Sequence, residues 1–278
     1  MSILTAAFLG LVQGIAEFLP ISSSGHLSIF QNLFGLEYAE GEHLLFDVLL
    51  HLATLIAVCL FYWNDIGAMV KDTVGMIAGN RDTGEEGRMK PSVRTVFLII
   101  VATLPLFLLL PFNGYIEQLF YNTPFIAFAL IVTGVLLYVS GKLTEGRKNE
   151  KTSTVVDALV IGAAQAIATI PGLSRSGTTI TVGLARGYRR QFAVKFSFLM
   201  SIPAILGSAL LTLIKAFRAG VVWANLPAYL FGMIIAGIVG YFALVLLKKI
   251  VDANNFSKFA YYCWGAGALS LILSLFLN

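Results

Sequence analysis

The sequence predicts an all-α polytopic membrane protein made of two inverted-topology repeats, each a re-entrant helix-loop-helix hairpin plus three transmembrane helices. Three observations predict it: a composition too apolar for water, apolar stretches of two distinct lengths, and paired motifs at a fixed separation.

Of 278 residues, 58% are hydrophobic and 12% are charged, where a soluble domain carries roughly 25% charged residues. Lipid is therefore the expected solvent, and the whole of 1–278 is read as one integral membrane domain. Cys59 and Cys263 stand far apart in apolar runs, which supports neither a disulfide framework nor a metal-ligand spacing. The first cation is Lys71, so the apolar N-terminal stretch lacks the charged region of a cleavable signal peptide and is expected to remain. There is no nucleotide-binding glycine fingerprint, and no nucleic-acid partner is expected.

A helix needs about 20 mostly apolar residues to cross a hydrocarbon core of about 30 Å. Leu44 to Trp63, Val93 to Phe112, Phe125 to Leu143, Phe192 to Ile214, Leu226 to Leu247 and Phe259 to Leu277 qualify. Leu4 to Leu19 and Val155 to Ile170 reach only about 24 Å, and each ends at a proline followed by Ser and Gly. They read as half-spans.

The net charge of +4 decides nothing, but its distribution does. Connections containing Lys71, Arg81, Arg88, Lys90 and Arg94, then Lys142 to Lys151, then Arg186, Arg189, Arg190 and Lys195, then Lys248, Lys249 and Lys258 alternate with cation-poor ones. Lys215 and Arg218 are the only cations on the other side, which is the positive-inside pattern. The count works if both half-spans return to the side they came from. Pairing each half-span with a following short helix as a complete extra span leaves the other six unchanged, and charge does not separate the two arrangements.

Gln13-Gly14-Ile15-Ala16 matches Gln165-Ala166-Ile167-Ala168, and Ser22-Ser23-Ser24-Gly25 matches Ser174-Arg175-Ser176-Gly177, both 152 positions apart. Phe46 to Ile56 aligns with Phe196 to Leu206, and Ala127 to Gly134 with Ala260 to Gly267. Repeat one is thus 1–151 and repeat two 152–278. An odd number of crossings per repeat makes them opposite in orientation, an arrangement that places a ligand site near the midplane between broken helices.

Gln13 and Glu17 are four apart and share a helix face. A carboxylate inside a half-span is expensive unless partnered, although one snorkelling to the interface is the simpler explanation. Ser22, Ser23, Ser24, Gly25 and His26 add hydroxyls, flexible backbone and an imidazole. Pro171 to Thr179 sets Arg175 among Ser174, Ser176, Thr178 and Thr179 with Gly172 and Gly177. Forked guanidinium donors, hydroxyls and N–H groups at a helix start are what an oxyanion site uses. A structural Arg175 paired with Glu17 is the alternative. His51 aligns with Ser201 and could line the cavity, while His43 with Glu40 and Glu42 reads as interfacial. Trp63, Tyr115, Tyr121 and Trp223 fit an aromatic belt.

At these residues the sequence resembles the undecaprenyl-diphosphate phosphatase family, also called bacitracin-resistance proteins, over nearly the whole chain. The first family motif appears as Gln13 to Glu17 running into Ser22-Ser23-Ser24-Gly25-His26. The second, PGxSRSGxT, appears as Pro171 to Thr179. The resemblance implies two inverted repeats with a pocket open to the extracytoplasmic face of the plasma (inner) membrane, and hydrolysis of a polyprenyl diphosphate to the monophosphate and phosphate. It implies catalytic roles for Glu17, His26, Arg175 and Ser23, with His26 as nucleophile or base and Ser23 as the rival nucleophile. Substrate contacts then fall to Gln13, Ser22, Ser24, Gly25, Ser174, Ser176, Gly177 and Thr178. A Mg²⁺ or Ca²⁺ ion would sit at Glu17, and the partners are the lipid substrate, the bilayer and, as a homodimer, a second copy of the chain. Two departures are Gln13, where many relatives carry Glu, and Lys195, where an acid is usual. A polyprenyl-phosphate flippase is the competing function, since it needs the Arg but no nucleophile. A scaffold would leave the clustered hydroxyls unexplained.

Overall fold

The computed structural model describes residues 1–33, 44–79, 89–220 and 222–277. His43, Glu40, Glu42, Arg81 and Arg88 lie outside them. Among the described residues there are twelve α-helices and no strand: α1 (Ile3–Phe18), α2 (Ser23–Leu33), α3 (Leu44–Phe61), α4 (Trp63–Ile77), α5 (Pro91–Phe107), α6 (Asn113–Leu119), α7 (Thr123–Ser140), α8 (Val155–Ile167), α9 (Arg175–Ala185), α10 (Arg190–Ala219), α11 (Leu226–Asp252) and α12 (Phe259–Leu277).

Six segments, built on α3, α5, α7, α10, α11 and α12, are long and apolar enough to cross a membrane. They fall on the six stretches expected from the sequence. The two short apolar helices are α1, with 16 residues, and α8, with 13. Each is followed by a tight turn and an 11-residue helix that packs back against it, α2 on α1 and α9 on α8. Pro20 explains one stop, because the residue before proline is driven out of the helical region; Leu19 is extended at ψ 143°. The start of α8 is a capping box between Thr154 and Asp157. Asp157 is fully buried and also binds Lys148, at 3.0 and 2.8 Å, and Arg186, at 2.8 Å.

Small residues let helix backbones approach where lipid offers no hydrophobic drive. On α1, a methyl at Gly10 would lie 2.3 Å from the Gly232 carbonyl oxygen of α11. On α8, one at Gly162 would lie 2.2 Å from the Ala102 carbonyl oxygen of α5. Between α7 and α12, Gly134 faces Trp264 and Gly267 faces Ile131. Helix α3 packs on both α10 and α11, and α10 also on α5.

The structure departs from the sequence reading in two connections. The connection after Leu44 to Trp63, read only for its cations, holds most of α4 (Trp63–Ile77), too polar to read as a span and therefore silent in a hydropathy search. It is tied down by Asp72, which accepts from Ser92 at 2.6 Å and Lys90 at 3.3 Å, and by an Asp65–Lys195 ion pair. Lys195 of α10 thus finds its partner acid on α4. The Val93 to Phe112 stretch ends as a helix at Phe107, just after Pro105. A 3-10 turn and α6 follow, with Lys215 of α10 paired to Glu117. Trp63, Tyr115, Tyr121 and Trp223 are all exposed, as a belt requires.

Candidate active site

Helices α2 and α9 begin alike. Ser22 Oγ accepts the Gly25 N–H at 3.2 Å, and Ser174 Oγ accepts the Gly177 N–H at 3.1 Å. In each case a second serine hydroxyl stands beside the cap, Ser24 at 3.4 Å and Ser176 at 3.3 Å. Serine at the N-cap satisfies one N–H of a helix start, and the rest of the first turn keeps donors without intrahelical acceptors. The two turns touch: Ser22 Oγ donates to the Leu173 carbonyl at 3.4 Å, and a methyl on Gly25 would reach 2.9 Å from the Gly172 Cα. Two helix N-termini, each with its positive dipole end, therefore meet at one place.

Glu17 occupies that meeting point from the last turn of α1. Its Oε1 accepts from Arg175 Nη2 at 2.6 Å. Its Oε2 accepts from Ser23 Oγ at 2.6 Å and from Gln13 Nε2 at 3.1 Å. Carboxylate and guanidinium are largely buried, with side-chain exposures of 5% and 19%, and a pair in low dielectric persists only when its remaining valences are met. Here they are met incompletely. Gln13 Oε1, Arg175 Nη1 and Thr178 Oγ1 are buried and have no partner among the described residues.

His26 stands on the other side of the turn. Its Nδ1–H donates to the Ser22 carbonyl at 2.8 Å, and its Nε2 is 2.8 Å from the Tyr262 hydroxyl of α12. The two rings stack at 5.7 Å. The backbone that His26 clamps is unusual, since Ser22 has φ 71°, a left-handed conformation costly for a residue with a Cβ. The second turn is clamped by Thr133 of α7, whose hydroxyl donates to the Gly172 carbonyl and accepts the Ser174 N–H, both at 3.0 Å.

The structure thus gathers Gln13, Glu17, Ser22, Ser23, Ser24, Gly25, His26, Ser174, Arg175, Ser176, Gly177 and Thr178 around two abutting turns. Thr179 is turned toward α10, bonded to Ser197 at 2.6 Å. His51 bonds the Asp47 carbonyl of its own helix at 2.8 Å. Tyr262 and Thr133 were not anticipated. Each lies within the aligned repeat segments Ala127 to Gly134 and Ala260 to Gly267, but at positions whose counterparts differ, and only the folded contact reveals its role.

No group of three or more His, Cys, Asp or Glu among the described residues could hold a metal alone. Glu17 and the unpartnered Gln13 Oε1 are two protein oxygens suited to a hard cation that takes its other ligands from elsewhere.

A bundle of apolar helices enclosing a buried acid, a guanidinium and hydroxyls at two helix starts defines a multi-pass membrane protein with an interior polar cluster. The family model described as Bacitracin resistance protein BacA matches residues 6–269, and the chain belongs to that family. It is 39% identical over 277 residues to the undecaprenyl-diphosphatase of Carboxydothermus hydrogenoformans, covering 98% of each chain. The protein of the same name from Methanosphaera stadtmanae is 38% identical, with 100% of both chains covered. That of Methanobrevibacter smithii is 40% identical, with 99% of both covered.

Proposed function

We propose that this chain hydrolyses undecaprenyl diphosphate to the monophosphate and inorganic phosphate, returning the lipid carrier used in cell-wall synthesis. The observation that carries the reading is the Ser23 hydroxyl aimed into the Glu17 carboxylate at 2.6 Å, with Arg175 on the other carboxylate oxygen. An acceptor in hydrogen-bond reach of a hydroxyl is the arrangement that activates a nucleophile.

In this mechanism the diphosphate takes Arg175 Nη1 and Thr178 Oγ1, buried side-chain donors unpartnered in the protein, with first-turn N–H groups of α2 and α9 that a helix start leaves without intrahelical acceptors. Ser23 Oγ attacks the terminal phosphorus while Glu17 takes its proton. The bond from that phosphorus to the bridging oxygen breaks, and Glu17 passes the proton to the departing polyprenyl monophosphate. Water then attacks the phosphoserine: its oxygen bonds to phosphorus, the phosphorus–Oγ bond breaks, Glu17 carries one water proton to Ser23 Oγ, and inorganic phosphate leaves. Arg175 and the helix starts face the charge that grows on the equatorial oxygens, where fixed donors act most strongly. His26 is the rival nucleophile, but with Nδ1–H on Ser22 O its Nε2 lone pair is occupied by the Tyr262 hydroxyl, so it is assigned to holding the Ser22–Ser23 turn. A Mg²⁺ or Ca²⁺ ion is compatible with Glu17 and Gln13 Oε1 as ligands, and when bound it would neutralise diphosphate charge.

We further read the chain as two inverted repeats, 1–151 and 152–278, whose hairpins α1–α2 and α8–α9 are re-entrant. Support comes from matched contacts. Gly10 on α11 has its counterpart in Gly162 on α5, and Gly134 against Trp264 in Gly267 against Ile131. The Ser22 and Ser174 caps also match. Cation placement puts the start of α1 on the extracytoplasmic side and that of α8 on the cytoplasmic side, and the family resemblance implies that the site opens outward from the plasma membrane.

The test is phosphate release from farnesyl and undecaprenyl diphosphate by the detergent-purified protein, with and without Mg²⁺ or Ca²⁺. Release supports the reading. Tight binding of the lipid phosphate with no release would point to a carrier.

A further inference from the structure

A recess of about 610 Å³ lies beside the second hairpin, within the span of about 300–1,000 Å³ common for small-molecule sites. Phe112, Ile116 and Leu119, from the 3-10 turn and α6, form one wall, and Ile167, which ends α8, with Ile170 of the turn after it, forms the other. Among the described residues that line it none is charged; Gln118, Asn122 and Thr169 supply its few polar groups.

We propose that this recess holds the first isoprene units of the lipid substrate, an inference that rests on the phosphatase reading above. Continuity is the first argument. Ile170 immediately precedes Pro171, and its carbonyl accepts the Leu173 N–H at 3.1 Å, while the Leu173 carbonyl accepts from Ser22. The recess therefore ends one hydrogen-bonded turn from the place where the two hairpins meet. A diphosphate held at Ser174 to Thr178 fixes where its first carbons lie, since the two are covalently joined.

The second argument is the contrast between the hairpins. The residue 152 positions after Glu17 is Thr169, whose hydroxyl is spent on the Ala166 carbonyl at 2.8 Å. Hairpin one thus presents a carboxylate where hairpin two presents an uncharged wall. One side of the meeting point suits phosphate chemistry and the other suits hydrocarbon. Exposed apolar side chains are ordinary on a lipid-facing surface, but a concave recess whose last lining residue, Ile170, lies four positions before the Ser174 cap is a placed feature.

The recess then confers chain dependence. Each carbon buried there strengthens binding, so filling the space with a side chain weakens long substrates more than short ones. The experiment compares isopentenyl, farnesyl and undecaprenyl diphosphate hydrolysis by wild type, Ile167→Trp and Leu119→Trp, all monodisperse in detergent. Leu246→Trp, an exposed position of α11 outside the recess, serves as control. The expected result is a KM raised about tenfold for the two long substrates and much less for isopentenyl diphosphate, with kcat kept and the control unchanged. Equal changes for all three substrates, or none, would overturn the recess while leaving the phosphatase reading intact. A wild-type protein that hydrolyses none overturns both. As a second readout, a diazirine-tagged farnesyl monophosphate should label residues 107–122 and 166–170, and labelling confined to other helices contradicts the proposal.

Discussion

Glu17 and Arg175 stand 158 positions apart in the chain and are joined by an Oε1 to Nη2 contact of 2.6 Å. That contact does more than neutralise two buried charges. Arg175 uses only Nη2 on Glu17 and keeps Nη1 unpartnered, so its fork is half satisfied by the protein. A purely structural pair would be expected to saturate both ends.

Glu17→Gln keeps the shape but removes the acceptor for the Ser23 proton. Phosphate release is expected to fall about 10²–10⁴-fold in kcat. Glu17→Ala also strips Arg175 of its partner and should destabilise the protein by about 3 kcal/mol, the lower end for a broken buried pair because Arg175 is partly exposed. Thermal melting in detergent separates the two effects, and a Glu17→Gln protein with wild-type kcat would refute the base assignment.

Tyr262→Phe deletes one hydroxyl and nothing else. If His26 only holds the Ser22 turn, losing this bond costs about 0.5–1.5 kcal/mol and lowers kcat about two- to tenfold. An Nε2 freed for nucleophilic attack would instead raise activity, so steady-state rates of the single variant distinguish the two roles of His26.

Gly10→Val and Gly162→Val should each lower thermal stability. Their new Cβ atoms would meet carbonyl oxygens of the facing helix at 2.3 and 2.2 Å, and backbone yields less readily than a side chain. The expected penalty is about 1–3 kcal/mol each, measured by melting in detergent. Matching penalties would fit the matched contacts of the two hairpins; a neutral Gly162→Val would not.

Asp157→Asn leaves Lys148 and Arg186 without their shared carboxylate at the start of α8. Stability should drop by about 1–3 kcal/mol, while the folded fraction retains phosphate release because Asp157 touches none of the site residues. Loss of turnover in well-folded protein would place Asp157 in the site.

Much of this was legible in the sequence, for physical reasons that differ by element. The six spans are read from length and apolarity because the bilayer imposes both. The hairpins were legible through Pro20, which stops α1, and through Ser22 and Ser174, which start α2 and α9. Gln13, Glu17 and Arg175 stood out because such side chains are expensive at that depth. Helix α4 escaped notice because it is neither apolar enough for a span nor marked by a cap. Tyr262 and Thr133 escaped because an isolated polar atom in an apolar helix is defined by its partner, here His26 and the Gly172–Ser174 turn, and the partner lies more than one hundred positions away in one case.

The central claim is that two distant turns form one phosphoryl-transfer site. It is tested most directly by phosphate release from farnesyl diphosphate in Ser23→Ala and Arg175→Ala, each confirmed as folded by its melting curve. The account predicts that each loses release by about 10²–10⁴-fold and that the double variant is little worse than either alone, as for groups acting as one unit. Wild-type release by either variant would contradict it.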